Sequence, residues 1–109
     1  MLPEIVDAVA GKAEIVLDGG ILRGSDVLKA IALGAKAVTI GKLQGWGLAA
    51  AGQRGLVRVL ELLEQEIFTT MALLGVTRID QLSPAYVCKS YPVTLPHEMS
   101  AFEIGRAHV

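Results

Sequence analysis

The sequence predicts an α/β fold in which two parallel strands are joined through one helix. Residues 13–17 and 37–40 are short apolar runs rich in β-branched side chains, which is typical of strands. Between them, residues 27–32 place apolar side chains at helical spacing. A helix of about ten residues between two strands forms a right-handed crossover, and this connection makes the strands parallel.

Residues near the two ends of this unit indicate where its helices begin and end. Residues 2–10 are predicted to be the end of a helix, followed by a turn at residues 11–12. Ser25 is predicted to be the N-cap of the central helix, with Asp26 in the first turn, where the helix dipole favours an acid. Gly34 is placed to end that helix.

A longer amphipathic helix is predicted over residues 56–74, with Gly75 at its C-terminus. Its apolar face is formed by Leu56, Val59, Leu60, Leu63, Ile67, Met71 and Leu74. Three acids are expected on its solvated face, namely Glu61, Glu64 and Glu66. The predicted helix therefore has one side available for packing against the strands.

Shorter elements are predicted on both sides of the long helix. Residues 46–51 are compatible with a short helix, and residues 77–82 with a helical turn that ends at Ser83-Pro84. Two strands with apolar faces cannot form a complete sheet of this type, because their edges and faces need further elements to cover them. The sequence therefore predicts a piece of a larger α/β fold.

Composition and charge exclude several classes of function. The 109-residue chain has a net charge of −1, so no basic surface predicts a nucleic-acid partner or an anionic membrane. No uncharged stretch reaches the ~20 apolar residues of a membrane helix, and no signal-peptide pattern is present. Cys88 is the single cysteine, which excludes an intrachain disulfide and a cysteine metal cluster, and no metal site is predicted. A cytoplasmic location is expected.

Two glycine-containing loops form the candidate site. The motif DGGILRG occupies residues 18–24 after the first predicted strand, and Gly41-Lys42 follow the second. Ligands of parallel α/β folds bind at the carboxyl ends of the strands, where both loops are expected. Glycines let the backbone approach an anion, a helix N-terminus attracts it, and Arg23 and Lys42 add positive charge. We therefore predict phosphate binding rather than tight turns alone.

The phosphate prediction and a barrel architecture support each other. In (β/α)₈ barrels, a common phosphate site is built from the loops after strands seven and eight together with a short extra helix. Residues 43–55, which are rich in Gly and Ala, provide such a segment after the second loop. The two loops and this segment are therefore compatible with the end of such a barrel.

Several motifs resemble the last quarter of the FMN-dependent 2-hydroxy-acid oxidases and dehydrogenases, the family of glycolate oxidase, lactate oxidase and mandelate dehydrogenase. The first three are DGGILRGSD at 18–26, KAIALGA at 29–35 and IGK at 40–42. The resemblance continues through WGLA at 46–49 and TMALLG at 70–75, and it covers most of residues 2–88. The first loop is shared with other FMN or phosphate-binding barrels, such as the type 2 isopentenyl-diphosphate isomerase. The last two motifs favour the hydroxy-acid enzymes over this alternative.

The resemblance implies the C-terminal part of a TIM barrel, strands seven and eight with their helices, and FMN as the cofactor. The residues expected to bind FMN are Asp18, Gly19, Gly20, Ile21, Leu22, Arg23, Gly41 and Lys42. Two of them depart from the family: Leu22 stands where the family has an arginine, and Lys42 replaces the arginine of a Gly-Arg pair. Losing a charged or bidentate contact predicts an FMN affinity about tenfold lower than is usual in the family.

The resemblance also implies oxidation of a small 2-hydroxy acid to a 2-oxo acid by a full-length enzyme that is a homo-oligomer. The family's catalytic histidine precedes the first phosphate loop, whereas His97 and His108 follow it and lack the motif. No catalytic residue is therefore predicted in this chain. Two alternatives stay open, namely an inactive truncated product and a module that assembles with a partner chain.

Three segments are expected along the chain. Residues 1–88 are predicted to form the barrel part, and residues 89–102, which include Pro92 and Pro96, an extended tail. Residues 103–109, EIGRAHV, match the translation of a widely used sequencing adapter. We expect this last segment to be non-native.

Overall fold

A computed structural model describes residues 1–90 and contains three α-helices and a two-stranded parallel sheet within them. In chain order the elements are α1 Leu2–Val9, β1 Val16–Asp18, α2 Gly24–Ala32, β2 Ala37–Thr39 and α3 Lys42–Leu74, followed by 3₁₀ turns at Ile79–Gln81 and Pro84–Tyr86. The two strands are parallel, with Val16 opposite Ala37 and Asp18 opposite Thr39. The predicted α/β class and the parallel crossover are confirmed.

The strands differ from their predicted bounds. β1 begins at Val16 and extends to Asp18, although residues 13–17 were expected, and β2 ends at Thr39, before Ile40. The physical reason is that a strand is defined by its pairing, and the paired register covers only three residues in each strand. The apolar composition was sufficient to predict the two strands, but it could not predict at which residue the pairing between them ends.

The start of α2 also differs from the prediction. Ser25 is not its N-cap, because the helix begins at Gly24 and Arg23 is the N-cap residue. Asp26 carries the capping function: its carboxylate accepts from the backbone N–H of Leu22 at 3.2 Å and of Arg23 at 3.0 Å. A carboxylate in the first turn satisfies amides that have no partner within the helix.

The segment after β2 is helical earlier than predicted. α3 begins at Lys42, whereas a short helix over residues 46–51 was expected, and it is interrupted by non-helical backbone at Ala51 and Gly52. Gly52 has φ 57° and ψ −138°, a conformation for which a residue without Cβ is suited. The kink therefore divides α3 into a short first arm and a long second arm, which ends as predicted at Gly75.

The core within residues 1–90 is small. Leu28 of α2, Met71 of α3 and Val76 are buried together, and Ile67 and Leu82 pack against them. Other apolar side chains of α3 stay exposed, including Leu60 at 51%, which was expected on the packed face, and Phe68 at 64%. The apolar face of α3 is thus only partly covered by the described residues.

An apolar groove follows from this partial coverage. It has a volume of about 750 Å³ and lies between β2 and the second arm of α3, where Val38, Ile40, Val57, Leu60 and Phe68 are among its lining residues.

No helix in residues 1–90 combines the length and the apolar character that crossing a membrane requires. The tail predictions for Pro92, Pro96 and residues 103–109 lie outside the described residues.

Candidate functional site

The two predicted loops leave the sheet at the same edge. Because β1 and β2 are parallel and Asp18 is opposite Thr39, the loop that starts at Gly19 and the loop at Ile40 and Gly41 both follow the carboxyl ends of the strands. The Thr39 hydroxyl donates a hydrogen bond to the Asp18 carboxylate and joins the two strand ends. The structure therefore brings the two halves of the predicted site together.

The first loop has backbone that suits close contact with a ligand. Gly19 and Gly20 have φ values of 94° and 76°, a region that residues with side chains rarely adopt. The space where a Cβ would stand at either position is open. Backbone N–H groups in turns of this kind can bind an anion.

Two helices begin at this edge as well. α2 starts at Gly24 and α3 starts at Lys42, so the positive ends of both helix dipoles are next to the strand ends. Lys42 is exposed, and among residues 1–90 it forms no ion pair. Its charge is therefore available to an anion at this edge.

Part of the first loop is already bonded within the protein. The N–H groups of Leu22 and Arg23 donate to Asp26, and the N–H of Gly24 donates to Glu66 Oε2 at 2.6 Å. These bonds fix the half of the loop that leads into α2. The half nearest the strand, residues 19–21, is consequently the part best suited to an anion.

Arg23 takes a different role from the one that its charge suggests. Its Nε donates to Glu66 Oε1 at 2.8 Å, and the two side chains are 69% and 33% exposed. Glu66 was expected on the solvated face of α3. This prediction is wrong, because its carboxylate accepts hydrogen bonds from Arg23 and Gly24. A cavity of about 290 Å³ beside this pair is lined by residues of α2, α3 and Arg23 and includes neither Gly41 nor Lys42.

The two remaining predicted residues of the loop are apolar. Ile21 is 6% exposed, and Leu22 is half-buried. Their side chains add no hydrogen-bonding group, and since the N–H of Leu22 donates to Asp26, only the backbone N–H of Ile21 remains to contact an anion. The residues at this edge thus fit a phosphate group through glycine backbone, helix N-termini and Lys42, with less positive charge than two arginines would supply.

Glu66 is a contact of the candidate site that sequence reasoning missed. It is separated by 43 residues from Arg23, and its spacing along the helix marks it only as a polar position. No local pattern connects an acid in one helix with a loop so far away in the chain. Only the fold, which packs the start of α2 against α3, shows the relationship.

Comparison with known proteins identifies the family. The model of the family described as FMN-dependent dehydrogenase matches residues 1–89. The chain belongs to the FMN-dependent dehydrogenase family. The resemblance found in the motifs is confirmed, and FMN is the cofactor of the family.

Individual relatives agree with this assignment. The L-lactate oxidase of Nostoc sp. is 50% identical over 86 residues, which are 79% of this chain and 24% of the relative. The pre-mycofactocin synthase of Mycobacterium tuberculosis is 51% identical over 84 residues, 77% of this chain and 21% of the relative. The structure of a mandelate oxidase variant with the monooxide FMN adduct shares 52% identity at a TM-score of 0.70, over 74% of this chain and 26% of that chain. The chain thus spans about a quarter of the length of the relatives that it matches.

Proposed function

We propose that this chain provides the FMN-phosphate side of the active site in an enzyme that oxidises a 2-hydroxy acid to a 2-oxo acid. The observation that carries the proposal is the meeting of two glycine loops, two helix N-termini and Lys42 at one edge of a parallel sheet. The names of the lactate oxidase and mandelate oxidase relatives support the 2-hydroxy-acid substrate class.

Each residue at the edge has a role that its chemistry supports. The backbone of Gly19, Gly20 and Ile21 would donate to phosphate oxygens, and Lys42 would balance their charge. Asp18 is an acceptor only, so it suits a hydroxyl of the ribityl chain and not the phosphate. Bound FMN would supply the hydride acceptor for the oxidation. The proton of the substrate would be taken by a group that this chain does not supply, since the family's catalytic histidine precedes the first phosphate loop.

The two strands of this chain also have a proposed position within the barrel. We place β1 and β2 as strands seven and eight, because phosphate sites of (β/α)₈ barrels follow these two strands and are completed by a short extra helix. The first arm of α3, before the kink at Gly52, would be that extra helix. The unpaired edge of β2 would then pair with the first strand of the barrel, and the unpaired edge of β1 with the sixth. The helices that accompany the missing strands would cover the apolar groove, and they would belong to the part of the relatives that this chain does not span.

A titration with two flavins tests the phosphate assignment. FMN and riboflavin differ only in the phosphate group, so flavin fluorescence should respond to FMN at a lower concentration than to riboflavin. Near-UV circular dichroism in parallel reports whether the chain has fixed tertiary structure. Equal responses to the two flavins would contradict phosphate binding by these loops.

The alternative of an inactive truncated product has its own outcome. A chain without fixed tertiary structure and without any flavin response would support it. The same titration with a companion polypeptide that supplies the remaining strands then measures whether FMN binding and oxidation of lactate or mandelate depend on this chain. The matches to the hydroxy-acid enzymes favour the oxidase over the isomerase alternative.

A further inference from the structure

We propose that Glu66 is a positioning residue that holds the phosphate loop in the shape needed for FMN. The inference rests on the proposed function of the loop and adds to it a residue of α3 outside the glycine motifs. Glu66 does not contact the phosphate in this proposal. It acts through Arg23 and Gly24.

Both carboxylate oxygens of Glu66 are used by the same loop. Oε2 accepts from the backbone N–H of Gly24 at 2.6 Å, and Oε1 accepts from Arg23 Nε at 2.8 Å. Hydrogen bonds to an ionised acceptor are stronger than neutral ones, and two of them in parallel define an orientation as well as a distance. The end of the loop is thereby tied to α3 at two adjacent residues.

The packing around Gly24 supports the same conclusion independently. A Cβ at this position would lie 2.6 Å from the Cβ of Glu66, 2.6 Å from the backbone N of Ile67 and 2.8 Å from the backbone O of Leu63. Two of these three atoms belong to the backbone of α3, which cannot move aside cheaply. The start of α2 therefore touches the backbone of α3, and this contact places Glu66 directly against the loop.

The consequence concerns residues 19–21. With Asp26 bonded to the N–H groups of Leu22 and Arg23, and Glu66 bonded to Gly24, the end of the loop has a defined conformation. The glycine amides before it are then oriented before a ligand arrives. Such preorganisation increases affinity because less conformational entropy is lost on binding.

A simpler role for Glu66 predicts the opposite effect. If its carboxylate only neutralised Arg23, its removal would release a cation and reduce negative charge near the phosphate, and FMN would bind more tightly. A positioning role predicts weaker binding. The sign of the change in FMN affinity therefore separates the two roles.

The experiment compares the 109-residue chain with its Glu66→Ala and Glu66→Gln variants, and with Glu64→Gln as a control of equal charge change at an exposed position of the same helix. FMN is titrated while the amide NMR signals of Gly19 and Gly20 are followed, and hydrogen exchange of the Gly24 amide is measured without ligand. We expect FMN binding about tenfold weaker in Glu66→Ala, an intermediate effect in Glu66→Gln, which keeps one acceptor, and none in Glu64→Gln. Exchange at Gly24 should be faster in the same order.

The outcomes separate this inference from the proposed function. Equal or tighter FMN binding in both Glu66 variants, with the original chain still binding, would overturn the positioning role and leave the phosphate site in place. An original chain with protected Gly24 and no saturable response at Gly19 and Gly20 would overturn the phosphate site itself. If Glu66→Ala does not fold, Glu66→Gln decides, because it changes the charge and one bond while the side-chain volume stays the same.

Discussion

Arg23 Nε donates to Glu66 Oε1 at 2.8 Å, across 43 residues of sequence. The cation of the DGGILRG motif is therefore paired with an acid of α3 and does not stand alone beside the phosphate loop. Leu22, the residue before it, carries no charge. Among the predicted site residues, Lys42 is consequently the cation that forms no ion pair within residues 1–90.

Replacing Leu22 by arginine should strengthen FMN binding. Leu22 is half-buried in the loop next to the glycine backbone, and an arginine there is what the family resemblance implies. A charge-assisted and bidentate contact with phosphate is expected to increase the affinity about tenfold. Fluorescence titration with FMN measures the change.

A matched substitution tests whether the effect is local. Leu73→Arg adds the same charge at a residue that is 83% exposed and lies seven positions beyond Glu66 in α3. It should leave FMN affinity almost unchanged, because the added charge is solvated and does not belong to the loop that is predicted to contact the phosphate. An equal gain from both substitutions would mean that net charge, and not a contact at residue 22, controls binding.

Lys42 gives the complementary prediction. Lys42→Ala should weaken FMN binding about tenfold through loss of a charge-assisted contact, whereas Lys42→Arg should retain or improve it. Lys36→Ala is the control, because Lys36 is also exposed and precedes β2 at the opposite end of the strand. Unchanged FMN binding in Lys42→Ala would contradict a contact between the Lys42 side chain and the phosphate.

Much of this edge was predictable from the sequence because its signals are local. A Gly-rich loop after an apolar run, a helical segment and a second apolar run indicate a crossover, and parallel strands bring the residues that follow them to one edge. Asp18, Gly19, Gly20, Gly41 and Lys42 were located by this argument and by the family resemblance. Their place at a common edge is confirmed by the parallel register.

The remainder depends on packing, which the sequence pattern does not contain. The capping of α2 by Asp26 in place of Ser25 follows from the path of the loop, and the pairing of Arg23 with Glu66 follows from the contact between α2 and α3. The exposed apolar side chains of α3 show that burial, too, cannot be predicted from helical spacing alone. Helical spacing marks an apolar face, but burial requires an element that covers it.

The close contact between α2 and α3 leads to a prediction on stability. Gly24→Ala would place a Cβ 2.6 Å from the backbone N of Ile67, and such overlap is expected to destabilise the fold by about 1–3 kcal/mol. The midpoint of urea unfolding, followed by far-UV circular dichroism, should decrease. FMN affinity should decrease with it, since the loop ends at this residue.

Gly45→Ala is the control for this substitution. Gly45 lies in the first arm of α3 and has open space around its Cβ position, so alanine should be neutral or stabilise the helix by about 0.5–1 kcal/mol. Opposite signs for Gly24 and Gly45 would confirm that close packing, and not helix propensity, requires glycine at residue 24. Similar midpoints for the two variants would contradict it.

The kink in α3 supplies the last prediction, because it packs the first arm, which begins at Lys42, against the second arm. The two arms approach each other at Gly47 and Gly55, where a Cβ on Gly55 would overlap the carbonyl oxygen of Gly47. Gly55→Ala should therefore force the arms apart, lower the free energy of unfolding by about 1–3 kcal/mol and weaken FMN binding as Lys42 moves. Gln53→Ala, an exposed change in the same arm, should alter neither quantity. If Gly55→Ala lowered stability but left FMN affinity intact, the first arm of α3 would be a structural element that does not position the phosphate site.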